Sequence, residues 1–134
     1  MPKPLEYIRV FADELGESHI EKGEVEMETK CFAPPAPPLD VSASQEASGF
    51  AILRLPEDWW GEWHPSPYRQ WLFFMSGTAT IFASDGSQWN IAPGSIVFLE
   101  DTHGRGHQTR VTGGQELLVA SVQPNGQEQR SHDV

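Results

Sequence analysis

The chain has 134 residues, enough for one domain and too few for two, and its 19 Asp and Glu against 9 Lys and Arg give a formal net charge of -10. That charge repels phosphate backbones and anionic membrane surfaces, so nucleic acid and membrane are not expected as partners. With a single cysteine, Cys31, an intrachain disulfide and a zinc–thiolate cluster are both excluded.

The first residues, MPKPLEYIRVF, lack the apolar stretch of a secretory signal, and no apolar run approaches a membrane span. A cytoplasmic protein is therefore expected. YIRVF and VEMETKCF alternate at period two on either side of the turn-like DELGES and predict strands. Four prolines come next within five positions, Pro34, Pro35, Pro37 and Pro38, which lack the N–H that helix and ladder need. The segment from 33 to 48 reads as an extended connector. The roughly 30 residues before it are too few to bury a core alone, and residues 1–48 are expected to pack on a barrel formed by residues 49–124.

From residue 49 to 124 short apolar runs recur: FAILRL, QWLFFM, TATIFA, QWNI, SIVFL, HQTRV and ELLVASV. Ser76-Gly77, Asp85-Gly86, Pro93-Gly94 and Gly113-Gly114 punctuate them, and Asp-Gly is a strong hairpin signal. The class predicted is all-β, an antiparallel barrel or sandwich in one domain. EDWWGEW has room for one turn of helix, and the polar residues 125–134 are expected to fray.

In QWLFFM, Gln70, Leu72 and Phe74 share one face while Trp71, Phe73 and Met75 share the other, and both faces are apolar enough to be buried. A strand covered on both sides needs an outer cover, either the N-terminal segment or a second subunit, and a homodimer is expected. Gln70 would point an amide into apolar surroundings, where a polar group left unpaired costs about 1–3 kcal/mol. Two roles are open to it: a hydrogen bond that orders the core, or a contact to a ligand or metal. His64, between Trp63 and Pro65, is either a structural hydrogen-bonding residue or a ligand. His107 opens a period-two run with Thr109 and Val111 and is placed facing inward, whereas His103 sits in an irregular stretch with Gly104 and Gly106 and is the weaker candidate.

These residues carry a resemblance to the cupin superfamily. Its first motif reads His-x-His, three or four residues, Glu, six residues, Gly, and this sequence has His64, Ser66, Gln70 and Gly77 at matching spacing. Its second reads Pro-x-Gly-x-x-His-x-x-x-Asn, matched by Thr102, Gly104, His107 and Val111. The segments APPAPPLDV, WHPSPYRQ and EDTHGRGH also look like a group of short cupin-domain proteins. The resemblance implies a jelly-roll barrel, and a family that includes dioxygenases, isomerases, decarboxylases, cyclases and non-catalytic sensors.

Metal-binding cupins use three His and one Glu, of which this chain keeps His64 and His107, with Ser66 and Gln70 at the other two positions. His64, Gln70 and His107, with His103 as a weak fourth, could still hold a divalent Fe, Mn, Ni or Zn ion loosely. Without metal, two facing imidazoles suit general acid and base roles, with Gln70 stabilising an enolate oxygen. The expected ligand is a small organic molecule, aromatic or polyketide-like, held among Trp63, Tyr68, Trp71, Phe74 and Trp89, with Arg105 at the mouth. A lyase or isomerase type of enzyme is expected first, a metal-dependent dioxygenase second, and a non-catalytic binding or sensing protein third.

Overall fold

The computed structural model describes residues 2–125, so the fraying expected of the tail falls outside the described residues except at Asn125, which bonds Glu46 through its backbone N–H (3.1 Å) and its side chain (3.1 Å). Eleven strands succeed one another: β1 (Leu5–Ala12), β2 (Ser18–Val25), β3 (Met27–Lys30), β4 (Leu39–Ser42), β5 (Ala47–Leu55), β6 (Gln70–Ser76), β7 (Thr78–Ala83), β8 (Gln88–Ile91), β9 (Ile96–Leu99), β10 (His107–Thr112) and β11 (Leu117–Pro124). No helix occurs among the described residues. The turn of helix open to EDWWGEW is instead an irregular turn in which Asp58 adopts a positive φ of 64°. None of the described elements is a helix long and apolar enough to cross a membrane.

The strands form a six-stranded sheet in the order β2-β1-β9-β6-β11-β5, a three-stranded sheet β10-β7-β8, and a separate pair β3-β4. The all-β class expected from the strand punctuation is what the chain adopts. The pairing is not purely antiparallel, because β1 enters the large sheet parallel to β9, with Ile8 opposite Val97 and Val10 opposite Leu99. Nor do the two main sheets share a continuous ladder that closes a barrel; isolated bridges, Trp60 with Arg110 and His64 with His107, tie the 56–69 segment to β10.

Alternation builds the core. Ile8 and Val10 of β1, Val97 and Leu99 of β9, Leu72 and Phe74 of β6 and Leu117 and Val119 of β11 point to one side of the large sheet. They meet Ala79 and Ile81 of β7, Ile91 of β8 and Val111 of β10. At about 25 cal/mol per Å² this sandwich of aliphatic side chains is the main source of stability.

Two expectations about the first 48 residues need correction. The proline run is not a plain connector: β3 and β4 pair on either side of it, Lys30 opposite Leu39, and all four prolines fall at the tip, where no ladder N–H is required. The hairpin does not pack on the body either, since every residue from 28 to 40 is exposed. Of the N-terminal strands only β1 and β2 join the large sheet. The second face of β6 is correspondingly uncovered, with Phe73 and Met75 exposed.

Candidate functional site

Between the two main sheets lies a cavity of about 450 Å³. Leu53 and Leu55 of β5, Leu72 and Phe74 of β6, Ile81 of β7, Leu99 of β9 and Leu117 and Val119 of β11 make its walls. Its polar lining comes mainly from His64, Ser66, Gln70, His107 and Thr109, with Arg54 on the exposed edge strand β5.

The residues around His64 are held by the chain that leads on from Asp101. His64 and His107 form an antiparallel bridge through two backbone hydrogen bonds of 3.1 and 3.0 Å. Gly106 makes that approach possible: its φ is +76°, and a Cβ there would lie 2.0 Å from the carbonyl carbon and oxygen of His64. The bridge sets the two imidazoles side by side, with ring centroids 4.9 Å apart.

His107 is buried, and its Nδ1 lies 2.6 Å from Oδ2 of Asp101, whose side chain is fully buried. A carboxylate only accepts, so Nδ1 carries a proton, and in the neutral form of the ring Nε2 holds the lone pair. His64 is exposed, and its Nδ1 lies 2.7 Å from the carbonyl oxygen of Glu62, which assigns its proton in the same way. Both rings line the cavity.

Gln70 is buried at the head of β6 and tied at both ends. Its Nε2 donates to Ser66 Oγ at 2.9 Å, Ser66 Oγ donates to the carbonyl of Tyr68 at 2.7 Å, and Ser121 Oγ donates to Gln70 Oε1. The first role considered for Gln70, ordering a buried polar cluster, is therefore occupied. One N–H of its amide remains for a partner in the cavity.

Three residues of this neighbourhood escaped sequence reasoning. Asp101 was concealed because the six-residue return through Gly104 and Gly106 brings it to His107. Ser121 had a legible signal, a hydroxyl at the inward parity set by Leu117 and Val119. Trp59, taken for part of a turn of helix, lines the cavity rim.

Of the residues expected to surround a ligand, Phe74 alone joins the cavity wall. Trp63 is exposed and lies outside the lining, because alternation across the His64–His107 bridge turns it away. Trp89 shares the face of its cross-strand neighbour Ile81 but sits on β8, the strand remote from β10, and packs on the core beneath Lys22 Nζ at 5.5 Å. Trp71 belongs to the opposite face of the large sheet, stacked on Phe98 at 4.3 Å. Tyr68 contributes its backbone carbonyl to Ser66 rather than its ring to the cavity. Arg105 is exposed, with Nη1 3.4 Å from Glu17 Oε2, and His103 is exposed on the same loop; neither lines the cavity.

No family model matches this chain, and no curated protein sequence matches it. Among solved structures it is similar to protein NMB1881 from Neisseria meningitidis, a crystal structure, with 16% identity and a TM-score of 0.42 over 62% of this chain and 84% of that one. A likeness of that extent has no bearing on function.

Proposed function

We propose that this chain is a cupin-like protein that transfers protons within a small, uncharged and largely apolar molecule bound between its sheets, as a lyase or isomerase does. The observation that carries the reading is the buried Asp101–His107 pair at the polar end of an aliphatic cavity. A base oriented by a carboxylate keeps one tautomer and gains stabilisation when it becomes imidazolium. His107 is thus the base, taking a proton through Nε2. His64, exposed at the mouth, takes up a proton from water at its free Nε2 and passes it to the substrate, and the proton held on His107 Nε2 then leaves to solvent, so that both imidazoles end the cycle neutral. The remaining N–H of Gln70 donates to the enolate oxygen that develops as the C–H bond breaks. Acid–base assistance of this kind contributes roughly 100- to 10,000-fold, sufficient for enolisation, dehydration, decarboxylation or cyclisation of an activated compound.

The aliphatic walls support an aromatic or polyketide-like ligand. Among the described residues Arg54 is the one arginine or lysine on the lining, and its Nε lies 3.4 Å from Glu116 Oε1, so these residues offer a carboxylate or phosphate no buried counter-charge.

The metal that the cupin resemblance implies fits these residues poorly. Among the described residues no group of three His, Cys, Asp or Glu side chains converges on a point. Asp101 is committed to His107, and the Gln70 oxygen already accepts from Ser121. Two imidazole nitrogens and a neutral amide make a weak donor set, and no step is routed through a metal.

The reading is tested without knowing the natural reaction. Hydrophobic aryl ketones with acidic α-hydrogens are incubated with the protein in D₂O, and exchange at carbon is followed by NMR. Exchange that disappears in His107→Ala supports proton transfer. Binding of these ketones with no exchange in any of them would instead support the non-catalytic binding role.

A further inference from the structure

We propose that the outer face of the six-stranded sheet is an interface for a second copy of this chain, with the β3–β4 hairpin of each copy reaching across the other. The register places Phe50 and Ile52 of β5, Leu118 and Val122 of β11, Trp71 and Phe73 of β6, Ile96 and Phe98 of β9 and Leu5 and Tyr7 of β1 on this side, away from the core. A solvated antiparallel sheet face ordinarily carries polar residues at these positions. Here Leu5, Phe50, Ile52, Phe73 and Met75 stand 47%, 74%, 56%, 39% and 48% exposed.

At roughly 200 Å² for a large apolar side chain, those five leave on the order of 500 Å² open, near the top of the 300–600 Å² of the largest patch on an ordinary monomer. A standard interface takes about 800 Å² from each partner. Phe32 at the hairpin tip, 62% exposed, and Leu39, 42% exposed, bring the apolar total to about 700 Å², and the polar residues of the hairpin supply the rest.

The occupant is argued from two unmet needs in one chain. The hairpin extends from the body with residues 28–40 all exposed, and β3 and β4 pack substantially only on each other. At its base the sheet face holds a groove of about 330 Å³ lined by Leu5, Val25, Met27, Trp71, Phe73 and Ile96. A two-fold axis beside the groove lets each hairpin cover the other copy's sheet, so one contact satisfies both surfaces twice, as self-complementary dimers do. The proline-rich tip loses little freedom on docking because its φ angles are already restricted. The net charge of -10 disfavours an anionic membrane or a nucleic acid on the same face.

The test is the solution mass of the full chain by sedimentation velocity and light scattering, with two variants. Phe73→Asp puts a charge at the centre of the face; the second variant replaces residues 31–38 with Asn-Gly, a two-residue hairpin turn that removes the tip. The wild-type chain is expected at twice its 15.0 kDa mass with a Kd of micromolar or tighter. Each variant is expected to raise that Kd at least tenfold with its far-ultraviolet circular dichroism unchanged. A wild-type chain that stays monomeric at concentrations well above micromolar overturns the proposal, and so does a dimer whose Kd is indifferent to loss of the tip. Should Phe73→Asp fail to fold, the tip variant decides alone, since it alters only exposed residues.

Discussion

Replacing His107 by alanine removes the one hydrogen bond from a carboxylate that has no access to water. Asp101 has 0% side-chain exposure, its Oδ1 has no partner, and its Oδ2 is bonded to His107 Nδ1 alone. Leaving a buried carboxylate without its one donor costs at least about 3 kcal/mol, because a charged group pays more than a neutral one for burial without a partner. The size of the chain translates that into a fall in Tm of at least about 10 °C. Asp101→Ala alone leaves only a neutral N–H unpaired, a cost of about 1–3 kcal/mol. The double variant removes both polar groups, so its loss is expected to fall short of the two single losses combined by about 2 kcal/mol. Urea unfolding followed by tryptophan fluorescence gives all four free energies. A His107→Ala loss under about 1 kcal/mol, or strict additivity in the double variant, would refute the assignment of a buried, mutually dependent pair.

Gly106→Ala forces a methyl group against the His64 backbone at a positive φ and is expected to cost at least about 1–3 kcal/mol; the His64 and His107 ring resonances should shift in NMR spectra as the bridge opens. His19, with Nε2 2.7 Å from Asp13 and Nδ1 2.9 Å from Asp85, joins β2 to the β7–β8 turn. Its pKa is raised, chiefly by the hydrogen bond to Asp13, and that of Asp13 is lowered by the same bond. The imidazole contribution is complete below its unfolded value and lost as pH rises through its raised folded value, whereas the carboxylate contribution is lost as pH falls through its lowered folded value. His19→Gln should therefore flatten the decline in stability on the neutral side, as read from urea midpoints between about pH 5 and about pH 8. Elemental analysis of untagged protein is expected to find well under one transition-metal ion per chain, and a chelator should leave proton exchange intact.

The sequence was most legible where a local pattern fixes the result. Asp85-Gly86 and Pro93-Gly94 mark turns between real strands, and period-two parity placed Gln70, Leu72 and Phe74 together, with His107 facing the cavity. Contacts that depend on loops returning from a distance were not legible. Asp101 meets His107 because two positive-φ glycines fold the intervening chain back, and no periodicity reports such a reversal. Prolines forbid pairing only where they stand, so the ladder between Met27–Lys30 and Leu39–Ser42 forms around them. Aromatic content misled the reading of the binding site, since Trp71 and Trp89 serve the far face and the core edge while aliphatic side chains make most of the cavity wall.

The most direct test of the proposed chemistry compares carbon–deuterium exchange of one bound aryl ketone in D₂O by the wild-type chain, His107→Gln and Asp101→Asn. Loss of the His107 base should abolish the enzymic rate. Asn in place of Asp101 should lower it roughly 100-fold or more by turning the imidazole to the wrong tautomer, with ketone affinity unchanged. Exchange that continues at the wild-type rate in both variants would contradict the account.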